Sequence, residues 1–165
     1  MVPRQRDRTL PVTGTPATPG IDDFTRPYWE AAAAGELLIR RCADCRKPHH
    51  YPRDFCPHCW SEDVAWERAS GRATLYTWSV VHRNDLPPHR DRVPYTAALV
   101  ELAEGPRMMT EVVDCPPERL AVGMELTAVF RAEGDGVTVP VFRPAGEPGQ
   151  GQSSSRSHAQ PGDRR

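Results

Sequence analysis

Four cysteines carry the plainest chemistry in this chain. They stand as Cys42-Ala43-Asp44-Cys45 and Cys56-Pro57-His58-Cys59, two C-x-x-C pairs separated by residues 46–55. Each pair can place two thiolates on one side of a tight turn. Two such turns facing each other form a tetrahedral S4 cage, the shape Zn2+ accepts in closed structural sites. Pro48 and Pro52 in the intervening loop, and Pro57 inside the second pair, favour turns over a continuous helix. Disulfides are the competing use of these residues. They fit less well, because no apolar block follows the N-terminal arginines and a fifth cysteine, Cys115, is left over. A thioredoxin-like redox site would use one C-x-x-C between a strand and a helix. His49, His50 and His58 are substitute ligands only if a cysteine fails, since four thiolates already complete the shell. Arg40, Arg41, Arg46, Lys47 and Arg53 surround the pairs. They are expected to face solvent and balance the charge of a Zn(Cys)4 centre, or else to meet a phosphate.

The elements that must position the cage are short. Asp22 or Asp23 can cap a helix running through Trp29-Glu30-Ala31-Ala32-Ala33-Ala34, with Gly35 as its stop. Phe24, Tyr28 and Trp29 cluster on it. So short a helix is not stable alone, so these aromatics must bury against the ribbon or another protein. Residues 36–41 read as a strand entering the first pair and residues 64–68 as the strand leaving the second. From Gly71 the pattern changes to period two. Strands are expected at 72–82, 95–102, 107–113, 125–130 and 137–142, with Glu104-Gly105 and Gly134-Asp135-Gly136 as turns and a helical turn at 116–120. Within the first of these, Thr74, Tyr76, Trp78 and Val80 are expected on one face. Five strands with a linking turn after the third match an OB barrel; a small SH3-like barrel or open meander is the alternative.

The whole chain is 165 residues with a formal net charge of -1, 18 prolines and 38% apolar residues. The domain plan is a disordered tail at 1–20, helix and ribbon at 21–70, an OB domain at 71–145 and a second disordered tail at 146–165, where His158 lies. No apolar run approaches the ~20 residues that span a bilayer. Thiolates held for a metal fit a reducing compartment, hence the cytoplasm. A charge near zero argues against a general nucleic-acid binder.

The order of these parts resembles a known family. Tyr28-Trp29-Glu30, the two cysteine pairs, Gly71-Arg72-Ala73-Thr74-Leu75-Tyr76, Ala98-Leu99-Val100-Glu101-Leu102, Glu104-Gly105-Pro106-Arg107, Val122-Gly123-Met124 and Phe142-Arg143-Pro144 follow one another. That is similar to the zinc-ribbon/OB-fold family of acyl-CoA-associated proteins. The resemblance implies a mainly β chain with an N-terminal helix, a rubredoxin-like zinc ribbon and a five-stranded OB barrel. It implies Cys42, Cys45, Cys56 and Cys59 as ligands of a structural Zn2+. It also implies a non-catalytic accessory subunit, hetero-oligomeric with a thiolase-fold enzyme (thiolase, aldolase or acyltransferase), helping to hold or channel its acyl-CoA.

With that expectation, His82, Arg83, His89, Arg90 and Arg92 around the loop after the first barrel strand become candidates for CoA phosphates or the partner. Arg83, Arg90, Arg92 and Tyr95 are the expected cofactor contacts, and Tyr76, Trp78 and Tyr95 are candidates for lining a pantetheine channel. Cys115 lacks an evident base and is expected to be structural. Two other functions compete. One is a single-stranded nucleic-acid module stacking bases on Tyr76 and Trp78; the other is a free-standing acyl-CoA-using transferase or hydrolase.

Overall fold

The computed structural model describes residues 20–86, 89–133 and 136–146. The tail expectations, and those at Pro87-Pro88, Gly134-Asp135 and His158, lie outside the described residues but for Gly20 and Gly146. The chain runs through α1 (Arg26–Ala33), β1 (Leu38–Cys42), β2 (Pro48–His49), β3 (Val64–Arg68), β4 (Arg72–Val81), β5 (Tyr95–Leu102), β6 (Arg107–Val112), β7 (Glu125–Ala132) and β8 (Thr138–Pro144). Single 3-10 turns stand at His89–Arg92 and Pro117–Arg119.

Strands β2, β1 and β3 form a small antiparallel sheet in that order. The remaining five close a barrel in the order β4-β5-β6-β8-β7. The closure of β7 on β4, the parallel β6–β8 contact at Val112 and Phe142 and the 3-10 turn between β6 and β7 are OB-fold features. The alternation read from the sequence is clearest in β5. There Thr96, Ala98, Val100 and Leu102 are buried, while Tyr95, Ala97, Leu99 and Glu101 are less so.

Two local expectations change. The helix starts at Arg26, with Thr25 at its N-cap position and Pro27 in the first turn. Asp22 instead holds the preceding turn, accepting from the Thr25 N–H at 2.7 Å and the Thr25 hydroxyl at 2.6 Å. The proline needs no N–H there, so the helix begins where its ring is tolerated. Gly35 does stop the helix, at φ 79, where a side chain would be strained. In β4 a bulge falls at Tyr76, between Leu75 and Thr77 in the pairing with β5. One extra residue reverses the alternation. Trp78 therefore packs against the core while Tyr76 stays exposed, so the two aromatics expected on one face part company.

Ribbon and barrel share one core. Tyr28, Leu37 and Ile39 belong to the same buried cluster as Leu75, Val100, Leu102, Leu126 and Phe142. The helix packs on β1 of the ribbon and on β7 and β8 of the barrel. Its aromatics thus bury against the chain's own ribbon and barrel, with Tyr28 edge-on to Trp29 at 5.0 Å and near Trp66 at 6.3 Å. The joint between β3 and β4 is held at both ends. The Ala69 N–H donates to the Leu37 carbonyl at 2.8 Å, and the Ala128 N–H to the Gly71 carbonyl at 2.8 Å.

Candidate metal centre and its surroundings

The two cysteine turns are copies of one another. In each, the N–H of the first cysteine donates to the carbonyl five residues on: Cys42 to Lys47 at 3.2 Å and Cys56 to Ser61 at 2.8 Å. In each, the residue after the second cysteine is left-handed, Arg46 at φ 59 and Trp60 at φ 66. Backbone N–H groups point at the first sulfur of each pair, from Cys45 to Cys42 Sγ at 3.5 Å and from His58 to Cys56 Sγ at 3.4 Å. The left-handed conformation costs a side-chain-bearing residue about 1–2 kcal/mol. It is accepted here because the turn must fold both sulfurs onto one side.

β1 delivers Cys42 at its end, and the Ala43 N–H bonds the Asp63 carbonyl at 2.9 Å beside the start of β3. The two turns therefore face each other. The four sulfurs all lie within 4.8 Å of one another, with Cys42 Sγ to Cys59 Sγ at 3.6 Å and Cys45 Sγ to Cys56 Sγ at 3.5 Å. None is disulfide-bonded. A tetrahedron with Zn–S bonds of about 2.3 Å has sulfur edges of about 3.8 Å, whereas a disulfide needs about 2.05 Å. The donor set fits a zinc ion. The Cys45 N–H, helped by the Cys59 sulfur and the Asp44 N–H, holds the Cys42 thiol down at about 7 against the effect of burial. The Ser61 N–H also acts to lower Cys59, but the sulfurs of Cys45, Cys42 and Cys56 and burial outweigh it and push that thiol up to about 12. Four sulfurs this close shed a first proton readily and resist losing the last. A dication among them supplies the opposing charge.

The basic residues around the cage do not behave alike. Arg40, expected to face solvent, is buried. It donates to the Val64 carbonyl at 2.9 Å and lies over Trp66 at 4.8 Å and Phe24 at 5.3 Å. Its cross-strand register opposite Trp66 is the reason, since a guanidinium stacks on an indole face. Arg41 pairs with Glu67 and donates to the carbonyl of left-handed Arg46 at 2.7 Å, bracing the first turn. His58 is exposed. His49 and His50 are buried, and burial lowers both imidazoles, His50 to about 4.

The candidate ligand contacts of the barrel gather around the β4–β5 connection. Arg83 is paired with Asp85 at 3.2 Å and Arg90 with Asp91 at 3.5 Å. Arg92 binds Glu111 at 3.1 Å and also Glu133, with His89 Nδ1 at 3.4 Å. The Tyr95 hydroxyl accepts from Asn84 at 3.0 Å, and its ring lies 5.7 Å from His89. Arg92, His89 and Tyr95 are brought together, while Arg83 and Arg90 lie more exposed. Sequence reading missed the other half of this network, in which Arg131 binds Glu111 at 2.7 Å and Glu133 at 2.9 Å. A charged residue inside an apolar strand, such as Glu111 in β6, was the available signal. The three-aromatic channel does not assemble. Tyr76 lies under Arg107 at 3.6 Å on the outside, Trp78 packs on the core, and Tyr95 sits with Asn84 and His89. Cys115 is half-buried and packed against the core.

Comparison with known proteins places this geometry. Residues 29–65 match the rubredoxin-like zinc ribbon domain of ChsH2, and residues 66–131 match the ChsH2 C-terminal OB-fold domain. The chain belongs to the ChsH2/DUF35 family. A probable enoyl-CoA hydratase alpha subunit of Thermomonospora curvata is 38% identical over 128 residues, which is 77% of this chain. The chain spans only 39% of that relative's own length. A DUF35 domain-containing scaffold protein of Methanocaldococcus jannaschii is 38% identical over 98 residues, 58% of this chain and 67% of that one. Among solved structures, a chain of the Ltp2-ChsH2(DUF35) aldolase superposes with a TM-score of 0.69 at 37% identity, covering 78% of this chain and 99% of that chain. A DUF35 protein of Sulfolobus solfataricus, 11% identical with a TM-score of 0.52, shares the fold. No helix among the described residues is long and apolar enough to cross a membrane.

Proposed function

We propose that this chain is a non-catalytic accessory subunit that docks on a thiolase-fold enzyme and helps hold or channel that enzyme's acyl-CoA. In this reading Cys42, Cys45, Cys56 and Cys59 hold one structural Zn2+. The ion closes the ribbon so that its flanks and the barrel form one rigid surface. The observation that carries the reading is the likeness to the Ltp2-ChsH2(DUF35) aldolase, in which nearly the whole of the matched chain is covered. The loop bearing Arg83, Arg90, Arg92 and Tyr95 is the proposed meeting point with CoA or the partner. Arg83 and Arg90 have exposed charges whose carboxylate partners are weak competitors for a phosphate. Reduced thiols around a metal fit the cytoplasm.

A second reading has its own support. The 38% identity to a protein named as a probable hydratase alpha subunit favours a module of an enoyl-CoA hydratase. Co-purification of the zinc-loaded full chain from its own cell extract, followed by mass spectrometry, separates the two. Stoichiometric recovery of a thiolase-fold protein supports the first; recovery of a hydratase subunit supports the second. Turnover of acyl-CoA by the purified chain alone would overturn both in favour of a free-standing enzyme.

A further inference from the structure

A groove of about 460 Å3 runs between the ribbon and the β5–β6 hairpin, away from the Arg83–Tyr95 loop. Its chemistry is uneven. Lys47, Arg53 and Arg107 bring positive charge, and His49, His50 and Tyr51 line the walls. Pro48, Pro57 and Pro106 supply flat apolar surface between them.

Two features point to a ligand. First, His49 and His50 are only 7% and 8% exposed. Both His49 ring nitrogens and His50 Nδ1 lack a hydrogen-bond partner within the protein. A buried polar atom left so has lost its water without gaining a partner in exchange. Burial favours the neutral imidazole in both, so each has one N–H to donate. Second, Lys47 and Arg53 are exposed and make no ion pair among the described residues. Arg107 is held over Tyr76 at 3.6 Å and shares its charge with Glu101 at 3.0 Å, which fixes it at the groove's edge. Against them stands the carboxylate in the lining, Glu104, which accepts from the Ser70 N–H at 2.7 Å through one oxygen and keeps the other buried without a hydrogen-bond partner, so Lys47 and Arg53 must outweigh its charge. The imidazoles do not make a second metal site. Among the described residues the four cysteines form the group that gathers ligand atoms, and the neighbouring cations would repel an ion.

We propose that this groove binds a phosphate group, free or as an ester, between the Lys47 and Arg53 charges and the His49 and His50 imidazoles. A phosphate accepts several hydrogen bonds and carries the charge these side chains lack a partner for. In an ester, the organic part would lie along Tyr51 and the prolines. The proposal does not depend on the accessory-subunit reading, because it concerns the chain alone.

The test is NMR titration of the zinc-loaded full chain, following the imidazole signals of His49 and His50. Inorganic phosphate and adenosine 3',5'-bisphosphate are the probes, with chloride at equal ionic strength as control. Saturable shifts with phosphate and none with chloride are expected. The double variant Lys47→Gln/Arg53→Gln, altering two exposed side chains, should weaken binding about tenfold or more. Equal affinity for the two probes identifies free phosphate as the ligand; tighter binding of the bisphosphate identifies an ester. Signals that do not move, or that move equally in chloride or in the double variant, overturn the proposal. Capture of a partner enzyme without any phosphate response overturns only this site, and phosphate binding without a partner leaves it standing.

Discussion

The ribbon and the barrel are stabilised in different ways. In the barrel, alternation and closure suffice: β5 buries every second residue, and β7 returns to β4 so that the sheet has no free edge. In the ribbon, β3 buries no residue fully, and β1 contributes Ile39 and Cys42 as its buried apolar side chains. A sheet so thin owes its order to two external supports, the sulfur cage at one end and the barrel's core at the other. The contrast teaches that the ribbon is not an independent unit resting on a barrel. It is a cover packed on the barrel's core, with the sulfur cage at its far end.

The sharpest way to break this contrast is to remove the clamp. Chelation, or Cys56→Ser, should abolish zinc content of about one ion per chain and forfeit an apparent ~10–16 kcal/mol of binding energy at neutral pH. Hydrogen exchange should show β1 and β3 losing protection first, with β8 loosening next because α1 packs there, and β5 last. Simultaneous loss throughout would mean that the two regions are a single cooperative unit.

Core truncations come next in size. Phe142→Ala, at a side chain with no exposure, should cost about 3–5 kcal/mol, and Ile39→Ala about 2–5 kcal/mol. If the core is shared, Ile39→Ala lowers the denaturation midpoint of the barrel as well as the ribbon, read by protection at Val100. A ribbon-confined effect would separate the two cores.

A smaller effect should appear with acid. Burial lowers the folded His50 imidazole to about 4, so the unfolded chain binds the extra proton first. Stability should be full above about 6.5 and fall as the pH drops toward 4, by roughly 3 kcal/mol at most. His50→Phe should flatten that slope while zinc content at pH 7 stays the same. A slope unchanged in the variant would assign the acid sensitivity elsewhere.

The smallest expected change sits at the second cysteine turn. Trp60 is 73% exposed, left-handed and stacked on Phe55 at 5.3 Å. Trp60→Gly removes the backbone strain and loses that stack, so it should stabilise the ribbon by up to about 1 kcal/mol in thermal unfolding. A loss of stability would show that the stack outweighs the strain.

Much of this was legible in advance, for reasons that differ by region. The cage could be read because a metal ligand's identity and spacing are local, and each turn spans six residues closed by its own hydrogen bonds. The barrel strands could be read because burial on one face imposes a two-residue period. Arg40 was misread because its partner, Trp66, lies on another strand and only the register joins them. The parting of Tyr76 and Trp78 depends on a bulge that a single strand's composition does not announce.

By itself, the sequence determined the element order, the four sulfurs and the five-strand pattern, since these follow from local spacing and from the sidedness of strands. Only the tertiary structure decided that helix, ribbon and barrel share one core, that Arg92 and Arg131 are committed to Glu111 and Glu133, and that two imidazoles end buried in a basic groove. Those facts depend on residues far apart in the chain, and long-range contacts are set by how closed surfaces meet rather than by any one stretch.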